Sequence, residues 1–403
     1  MTIAETIIQA LASPTPPDPE QPWHRQSLSD GPAGTALLHI ERARTGHAAW
    51  PRAHTWIKAA TLTPVSASDT SGLFQGAPAI AFVLSCATSP DSARYQQALT
   101  AIGEHVTALT HRRVDTAVRR AHSGKRPTFH EYDVFHGLTG LGAYLLRRHP
   151  GSSALERVLA YLITLTVPVD DDRLGRVPGW WVGHDPSLTH TPGFPGGHAN
   201  LGMAHGIAGP LLLMARALRH GVAVDGQAEA LHAVLDWLDQ WRQEGLAGPW
   251  WPEHLTLGEL RSGRPSRSRP GRPSWCYGTP GIARAGQAAA IAVRDAKRQH
   301  QYEDALVRCL TDPHQLARLT DTSLCHGWAG VYQTAWRAAR DATAAALRAA
   351  VPRLADHLNR HATATAEHPP GLLLGAAGTA LALTTAARDA APASGWDTCL
   401  LID

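Results

Sequence analysis

Two octapeptides of this 403-residue chain carry residue types that bind metals. Residues 274–281 read SWCYGTPG and residues 323–330 read SLCHGWAG. Cys276 and Cys325 therefore each stand two residues before a glycine, and His326 directly follows the second cysteine. Thiolate and imidazole are the ligands that zinc prefers. The matched spacing, in a chain with only five cysteines, predicts a shared metal site if the fold brings the two segments together.

The G-x-x-G pattern of these segments recurs along the chain, which indicates a repeat fold. Seven copies occur, and the second has alanine in place of its second glycine: SDGPAG (29–34), QGAPA (75–79), FHGLTG (135–140), AHGIAG (204–209), CYGTPG (276–281), CHGWAG (325–330) and LLGAAG (373–378). Most copies precede an apolar helical segment, and amphipathic helices lie between them. At 226–243 one helical face carries Leu231, Val234, Leu235, Leu238 and Trp241.

Pairing one apolar and one amphipathic helix in each repeat predicts an all-α fold, an (α/α)7 toroid. The apolar helices would form an inner ring, and the G-x-x-G turns would surround one mouth. Unequal intervals between the copies favour a closed ring over an open solenoid. We expect a single domain over 1–403, with a non-helical insertion at 167–200 and a basic irregular loop at 258–273.

In such a toroid, neighbouring turns bring Cys276, Cys325 and His326 to the same rim. Three protein ligands leave the fourth position of a tetrahedral zinc ion open, as in catalytic sites. The alternative for any one cysteine is a small buried apolar side chain. We expect that role for the other three cysteines, Cys86, Cys309 and Cys399.

The two cysteine motifs resemble the signature motifs of the LanC-type lanthionine cyclases, the family of nisin cyclase. The resemblance extends to EYDVFHGLTG (131–140), NLGMAHGIAGP (200–210) and WDTCLLI (396–402), and so spans the chain. It implies the toroid fold and one zinc ion held by Cys276, Cys325 and His326. It also implies Michael addition of precursor-peptide cysteines to dehydrated Ser and Thr residues, which forms the thioether rings of lanthipeptides.

The family motifs place four further residues in the active site. His205 is expected to carry the proton, since an imidazole exchanges protons near neutral pH. Asp133 would orient that imidazole, its alternative role being a helix cap. Arg272 would steady Asp133 or the enolate oxygen, or is a solvated arginine of the basic loop. Tyr277 would donate a hydrogen bond at the rim, or packs there.

The expected partners follow from the resemblance and the composition. The substrate would be a dehydrated, leader-bearing precursor peptide, engaged by the 167–200 insertion with Trp180 and Trp181 as contacts; alternatively these rings pack the insertion onto the toroid. A complex with a separate dehydratase is a further expectation. No kinase or dehydratase segment precedes the toroid, which favours a free-standing cyclase.

Composition limits the location and the other partners. The net charge of +3 gives no reason to expect nucleic-acid binding. The sequence contains neither a signal peptide nor an apolar run long enough to span a membrane, so we expect a cytoplasmic protein.

Three alternatives fit parts of the sequence. Protein prenyltransferases also combine an α/α barrel with zinc, but use a carboxylate among the ligands. A LanC-like enzyme could add glutathione, rather than a peptide cysteine, to dehydrated residues. A non-catalytic zinc-bearing scaffold could bind peptides, although it would not need His205, Asp133 or Arg272.

Overall fold

The computed structural model describes residues 2–14, 20–89, 93–362 and 369–403. Within them the helices are, in chain order, α1 (Ile3–Ala10), α2 (Pro32–Arg44), α3 (Trp50–Ala60), α4 (Ala77–Ala87), α5 (Gln96–His122), α6 (Phe129–Tyr132), α7 (Leu138–Arg148), α8 (Ser153–Leu165), α9 (Ala208–Arg219), α10 (Gln227–Trp241), α11 (Leu257–Ser262), α12 (Thr279–Ala292), α13 (Ala296–Thr311), α14 (Pro313–Leu316), α15 (Trp328–Asp341), α16 (Ala345–His361) and α17 (Ala376–Arg388). Short 3₁₀ helices cover Pro22–Gln26 and Trp396–Leu400.

The helices that follow the G-x-x-G turns form a closed inner ring. In order around the ring they are α2, α4, α7, α9, α12, α15 and α17, and α17 packs back against α2. Most residues of these helices are buried, and every residue of α4 is buried. The predicted all-α toroid is therefore confirmed.

An outer helix packs against each inner one. Six of these pairs are sequential hairpins: α2 with α3, α4 with α5, α7 with α8, α9 with α10, α12 with α13 and α15 with α16. The seventh inner helix, α17, packs against α1 from the other end of the chain. In α10 the predicted apolar face, which includes Leu231, Leu235 and Trp241, is buried as expected.

The second glycine of the G-x-x-G pattern is required by a close backbone contact. A Cβ atom at Gly281 would lie 1.9 Å from the carbonyl oxygen of Trp275, and one at Gly330 would lie 1.9 Å from that of Leu324. The same contact with the residue six positions earlier occurs at Gly34, Gly140, Gly209 and Gly378. In the second repeat Ala79 occupies this position, and the preceding Gly76 has φ +75°, so this turn has a different backbone path.

Backbone hydrogen bonds connect each turn to the next around the mouth, which we define as the rim where the seven turns lie. Leu28 donates to Phe74, Phe74 to Phe135, Val134 to Ala204, Ala204 to Cys276, Cys276 to Cys325, Cys325 to Leu373, and Leu372 to Leu28. These hydrogen bonds connect all seven turns, and the last one returns to the first turn. Because every turn is tied to both neighbours, side chains on adjacent turns are held at fixed separations.

Six short strands lie in the two longest connections. They are β1 (Val169–Asp171), β2 (Gly175–Val177), β3 (His198–Asn200), β4 (Gln243–Gly245), β5 (Gly248–Trp250) and β6 (His254–Thr256). β1 pairs with β2, β4 with β5, and β3 with β6, all antiparallel. The β3–β6 pair ties the 167–200 insertion to the connection that follows α10.

Two expectations for these connections need correction. Trp180 and Trp181 are only 2% and 1% exposed, so they pack the insertion onto the toroid and offer no surface to a peptide. The start of the 258–273 loop is helical, because Thr256 and Glu259 form a reciprocal capping box that begins α11. Among the described residues, no helix is both long and apolar enough to cross a membrane.

Candidate metal centre and active site

The two thiols and the imidazole predicted as metal ligands do converge at the mouth. One ligand atom from each of Cys276, Cys325 and His326 lies within 4.8 Å of the other two. The turns themselves bring this about, since the N–H of Cys276 donates to the carbonyl oxygen of Cys325 at 3.2 Å. Two sulfur donors and one imidazole, with no carboxylate among them, fit zinc.

A serine in each turn fixes the backbone that carries these ligands. The Ser274 hydroxyl accepts hydrogen bonds from the N–H groups of Tyr277 and Gly278. In the next turn the Ser323 hydroxyl accepts from the N–H of His326. Both serines stand four residues before the first glycine of their turn, which we call the cap position.

The two thiols are electrostatically inequivalent. Cys276 is buried and Cys325 is half-buried. The hydrogen bond that the Cys325 thiol donates lowers the pKa of Cys276 and raises that of Cys325. The two thiols therefore share one hydrogen bond, and the thiolate is the form that binds metals.

Asp321 is a site residue that the sequence reasoning missed. Its Oδ2 lies 3.5 Å from Nε2 of His326, and its Oδ1 accepts the N–H of Ser323 at 2.8 Å. A carboxylate beside a ligating imidazole orients the ring and raises its basicity. The available signal was the D-x-S spacing, in which an aspartate accepts the N–H two residues onward.

Asp133 and His205 form the predicted pair in the two preceding turns of the inner ring. Asp133 Oδ2 lies 2.6 Å from His205 Nδ1. The other oxygen, Oδ1, accepts the N–H groups of His136 and Gly137 at 2.7 and 2.6 Å. Asp133 occupies the cap position of its turn. One of its oxygens caps the turn, and the other pairs with His205.

The charge of Asp133 is stabilised although the side chain is fully buried. Burial raises the pKa of its carboxyl, but hydrogen bonds from His136 and His205 outweigh burial and hold that pKa well below its usual range. The His205 turn adjoins the metal centre, because the N–H groups of Met203 and Ala204 both donate to the carbonyl oxygen of Cys276. A charged carboxylate thus supports an imidazole next to the thiols.

Arg272 has a different partner from the one expected. Its guanidinium lies 3.6 Å from Asp321 Oδ2, and no ion pair joins it to Asp133 among the described residues. Arg272 therefore lies beside the carboxylate that supports His326. It still contributes a positive charge close to the thiols, and that charge offsets a small part of the rise in the pKa of Cys325.

Tyr277 lies between the metal centre and His205. Its hydroxyl accepts a hydrogen bond from the Asn200 amide at 3.2 Å, and its ring centroid is 6.2 Å from that of His205. Burial raises the pKa of the phenol, so the hydroxyl keeps its proton. Asn200 was not among the predicted site residues.

The other three cysteines lie away from the site as expected. Cys86, Cys309 and Cys399 are buried, and all five cysteines are free thiols. Burial raises the pKa of Cys309 to about 12 and also raises those of Cys86 and Cys399. These thiols are therefore unreactive apolar side chains.

Comparison with known proteins agrees with the fold and the sequence motifs. The family described as lanthionine synthetase C-like protein matches residues 22–401. The chain therefore belongs to the lanthionine synthetase C-like family.

The chain is also similar to individual proteins. The nisin biosynthesis protein NisC of Lactococcus lactis subsp. lactis is 23% identical over 270 residues, which are 66% of this chain and 61% of NisC. The chain thus aligns with about three fifths of the length of that relative. The solved structure of nisin cyclase superposes with a TM-score of 0.78 at 19% identity, over 99% of this chain and 96% of that one.

Proposed function

We propose that this protein is a zinc-dependent lanthionine cyclase. It would join cysteine thiols of a dehydrated, leader-bearing precursor peptide to dehydroalanine and dehydrobutyrine residues of the same peptide. The observation that carries this proposal is the placement of the Cys276–Cys325–His326 cluster next to the His205–Asp133 pair. The cluster suits a thiol-binding zinc ion, and the pair suits the proton transfers that thiol addition requires.

The proposed zinc ligands are Cys276, Cys325 and His326, with one ion per chain. Zinc bound there would favour the thiolate form of a coordinated substrate thiol, which is otherwise mostly protonated at neutral pH. Asp321 would orient the His326 ring from outside the ligand set, and Arg272 would orient Asp321 in turn. Together these residues would form a supported metal site, with one coordination position left for a substrate thiol.

His205 would move the proton. Because its Nδ1 donates to Asp133, Nε2 is the nitrogen that accepts or releases a proton at the mouth. His205 takes the proton that the thiol loses, and the ionised Asp133 stabilises the resulting imidazolium. When the sulfur–carbon bond forms, the electron pair of the dehydro double bond moves toward the carbonyl, and His205 returns a proton to Cα.

Arg272 and Tyr277 would stabilise the enolate oxygen that develops during addition. Arg272 supplies a fixed positive charge at the rim, and Tyr277 supplies a hydroxyl that stays protonated. Groups that are already oriented toward a developing negative charge lower the barrier without reorganising.

The proposal includes the cellular setting. Free thiols at all five cysteines are in keeping with a reducing compartment such as the cytoplasm. Since the substrate must be dehydrated first, a dehydratase has to act before this protein, and a complex between the two would pass the peptide on directly. The exposed side chains of the insertion, such as Val169 and Leu188, are the proposed peptide contacts.

The test is a count of free thiols in a dehydrated precursor peptide. Cyclisation leaves the peptide mass unchanged but removes thiols, so N-ethylmaleimide labelling followed by mass spectrometry reports each ring. We expect the wild-type protein to remove thiols, and Cys276→Ala to lose both zinc and this activity. The matched control is Cys309→Ala, which alters a buried cysteine outside the site and should retain both.

Glutathione in the same assay separates the alternative nucleophile. A mass gain of glutathione on the dehydrated peptide, without loss of peptide thiols, would assign the protein to glutathione addition. If Cys276→Ala still removes thiols from the peptide, or keeps its full zinc content, the proposed role of Cys276 as a metal ligand is contradicted.

A further inference from the structure

Asp133 faces two histidines besides His205. One ligand atom from each of His130, Asp133 and His136 lies within 4.8 Å of the other two. The Nδ1 atom of His136 is 3.5 Å from Asp133 Oδ2, and the ring centroids of His130 and His136 are 4.0 Å apart. These three residues form a compact group with two imidazoles and one carboxylate.

The His136 nitrogen in this group faces the Asp133 carboxylate. His136 Nδ1 is buried from solvent, and its 3.5 Å separation from Asp133 Oδ2 is longer than an ordinary charge-assisted hydrogen bond. The rest of the side chain is 43% exposed. The exposed part of the ring leaves a route by which a small ion can reach the group.

The backbone around the two histidines is fixed in advance. The guanidinium of Arg113 donates to the carbonyl oxygen of His130 at 3.0 Å and to that of His136. It also donates to the carbonyl oxygen of Ser71. Because one guanidinium holds both carbonyls, the backbone positions of the two histidines are fixed relative to each other.

The donor set also suits a cation. Asp133 supplies a buried carboxylate, and His130 and His136 each supply an imidazole nitrogen. The positive charge of Arg113 opposes a second cation nearby, and Asp133 offsets that charge only in part.

We infer that His130, Asp133 and His136 form a second divalent-metal site, and that an ion bound there competes with His205 for Asp133. Two imidazoles and a carboxylate bind zinc and related transition metals, and imidazole and carboxylate without thiolate give a weaker site than the cysteine cluster. Metal binding at this group does not depend on the proposed cyclase function. Its consequence, inhibition by excess zinc, does rest on that function.

Binding of zinc to this second site is tested by calorimetry. Zinc is titrated into protein that already holds one equivalent. We expect a second, weaker equivalent in the wild-type protein. His130→Gln and His136→Gln should each weaken it by more than about tenfold, since even the loss of an outer-shell partner has that effect. The Cys276→Ala/Cys325→Ala double variant should lose the first equivalent and keep the second.

The control is a histidine pair on α16, away from this group. His357 and His361 lie one turn apart on α16 and stack on Trp328, so His361→Gln removes a competing zinc chelate. This variant should keep the second equivalent. Absence of a second equivalent, its persistence in both His130→Gln and His136→Gln, or its loss in His361→Gln would overturn the inference.

Thiol loss measured at rising zinc concentration tests the consequence. Wild-type activity should fall as the second site fills, and His130→Gln should keep its activity over the same range. Equal inhibition of both proteins would contradict the competition for Asp133. If no cyclase activity is found at all, the calorimetric result still decides the metal site by itself.

Discussion

The turns before α12 and α15 share a scheme of stabilisation with the turn before α7, yet they carry different chemistry. In the α12 and α15 turns the cap position is serine, and its single oxygen is used by the backbone N–H groups of the turn. In the α7 turn the cap position is Asp133, which makes the same contacts with one oxygen and binds His205 with the other. One added oxygen therefore turns a structural cap into a hydrogen-bond partner for His205.

The residue directly before the first glycine shows the same contrast. It is His326 in the α15 turn, Tyr277 in the α12 turn and His205 in the α9 turn, and each is only partly buried. Since the backbone ring holds these positions at one rim, their side chains meet whatever their identity. The three turns thus place three different side chains at one position, for which the proposed roles are metal ligand, hydroxyl donor and proton carrier.

Among variants that test this comparison, we expect the largest loss of ring-closure rate for His205→Gln. If the α9 turn supplies a proton carrier and not a ligand, ring closure should slow about 10²–10⁴-fold, while the zinc content stays at the wild-type value. Thiol labelling gives the rate and metal analysis gives the content. His300→Gln, at an exposed position of α13, is the control; weakened zinc binding in His205→Gln would instead assign His205 to the metal.

Asp133→Ser tests the role of the second carboxylate oxygen. Serine caps the equivalent turns, so we expect the fold to persist and the rate to fall by about a hundredfold, the upper range for loss of a partner that orients an imidazole. Wild-type activity in this variant would show that the contact with His205 is dispensable.

The same variant should alter the stability at low pH. Because the pKa of Asp133 is lowered in the folded state, its contribution to the free energy of unfolding is present above the usual carboxyl pKa of about 3.9 and is lost as the pH falls below it. Asp133→Ser should therefore lose less stability than the wild type between neutral pH and pH ~3. Urea unfolding at both pH values measures the difference, and equal losses would contradict it.

A smaller effect is expected for Asp321→Asn. Its carboxylate lies beside the His326 ring outside the proposed ligand set, so zinc affinity should fall about tenfold while the site remains able to bind. Competition with a chromogenic chelator measures the affinity. Asp225→Asn, at an exposed position before α10, serves as the control, and unchanged affinity in Asp321→Asn would leave the carboxylate without a role in metal binding.

The repeats made the toroid predictable, because the glycines and the alternation of apolar and amphipathic helices are local patterns. They also placed Cys276, Cys325 and His326 at one rim, since equivalent positions of neighbouring repeats must meet. The partner of Arg272 could not be predicted in this way. Asp321 and Asp133 both lie on turns at the mouth, and only the path of the 258–273 segment decides which one the guanidinium reaches.

The choice between the two expected roles of Trp180 and Trp181, peptide contact or packing, could not be made from the sequence for a related reason. A pair of adjacent tryptophans has the same local signature in a surface patch and in a packed insertion. Their burial depends on contacts distant in sequence, such as the edge-to-face contact of Trp180 with Trp237 on α10. Short irregular segments lack the periodicity that identifies a buried face.

The pairing of α1 with α17 has a consequence for synthesis on the ribosome. Synthesis proceeds from the amino-terminal end, so α1 and α2 are made well before α17, the helix that packs against both. Until α17 emerges, the α2 turn lacks the backbone donor that Leu372 provides, and the α15 turn lacks the acceptor that Leu373 provides. The rim that carries Cys325 and His326 can therefore reach its final geometry only after α17 has emerged, when the first and seventh repeats meet.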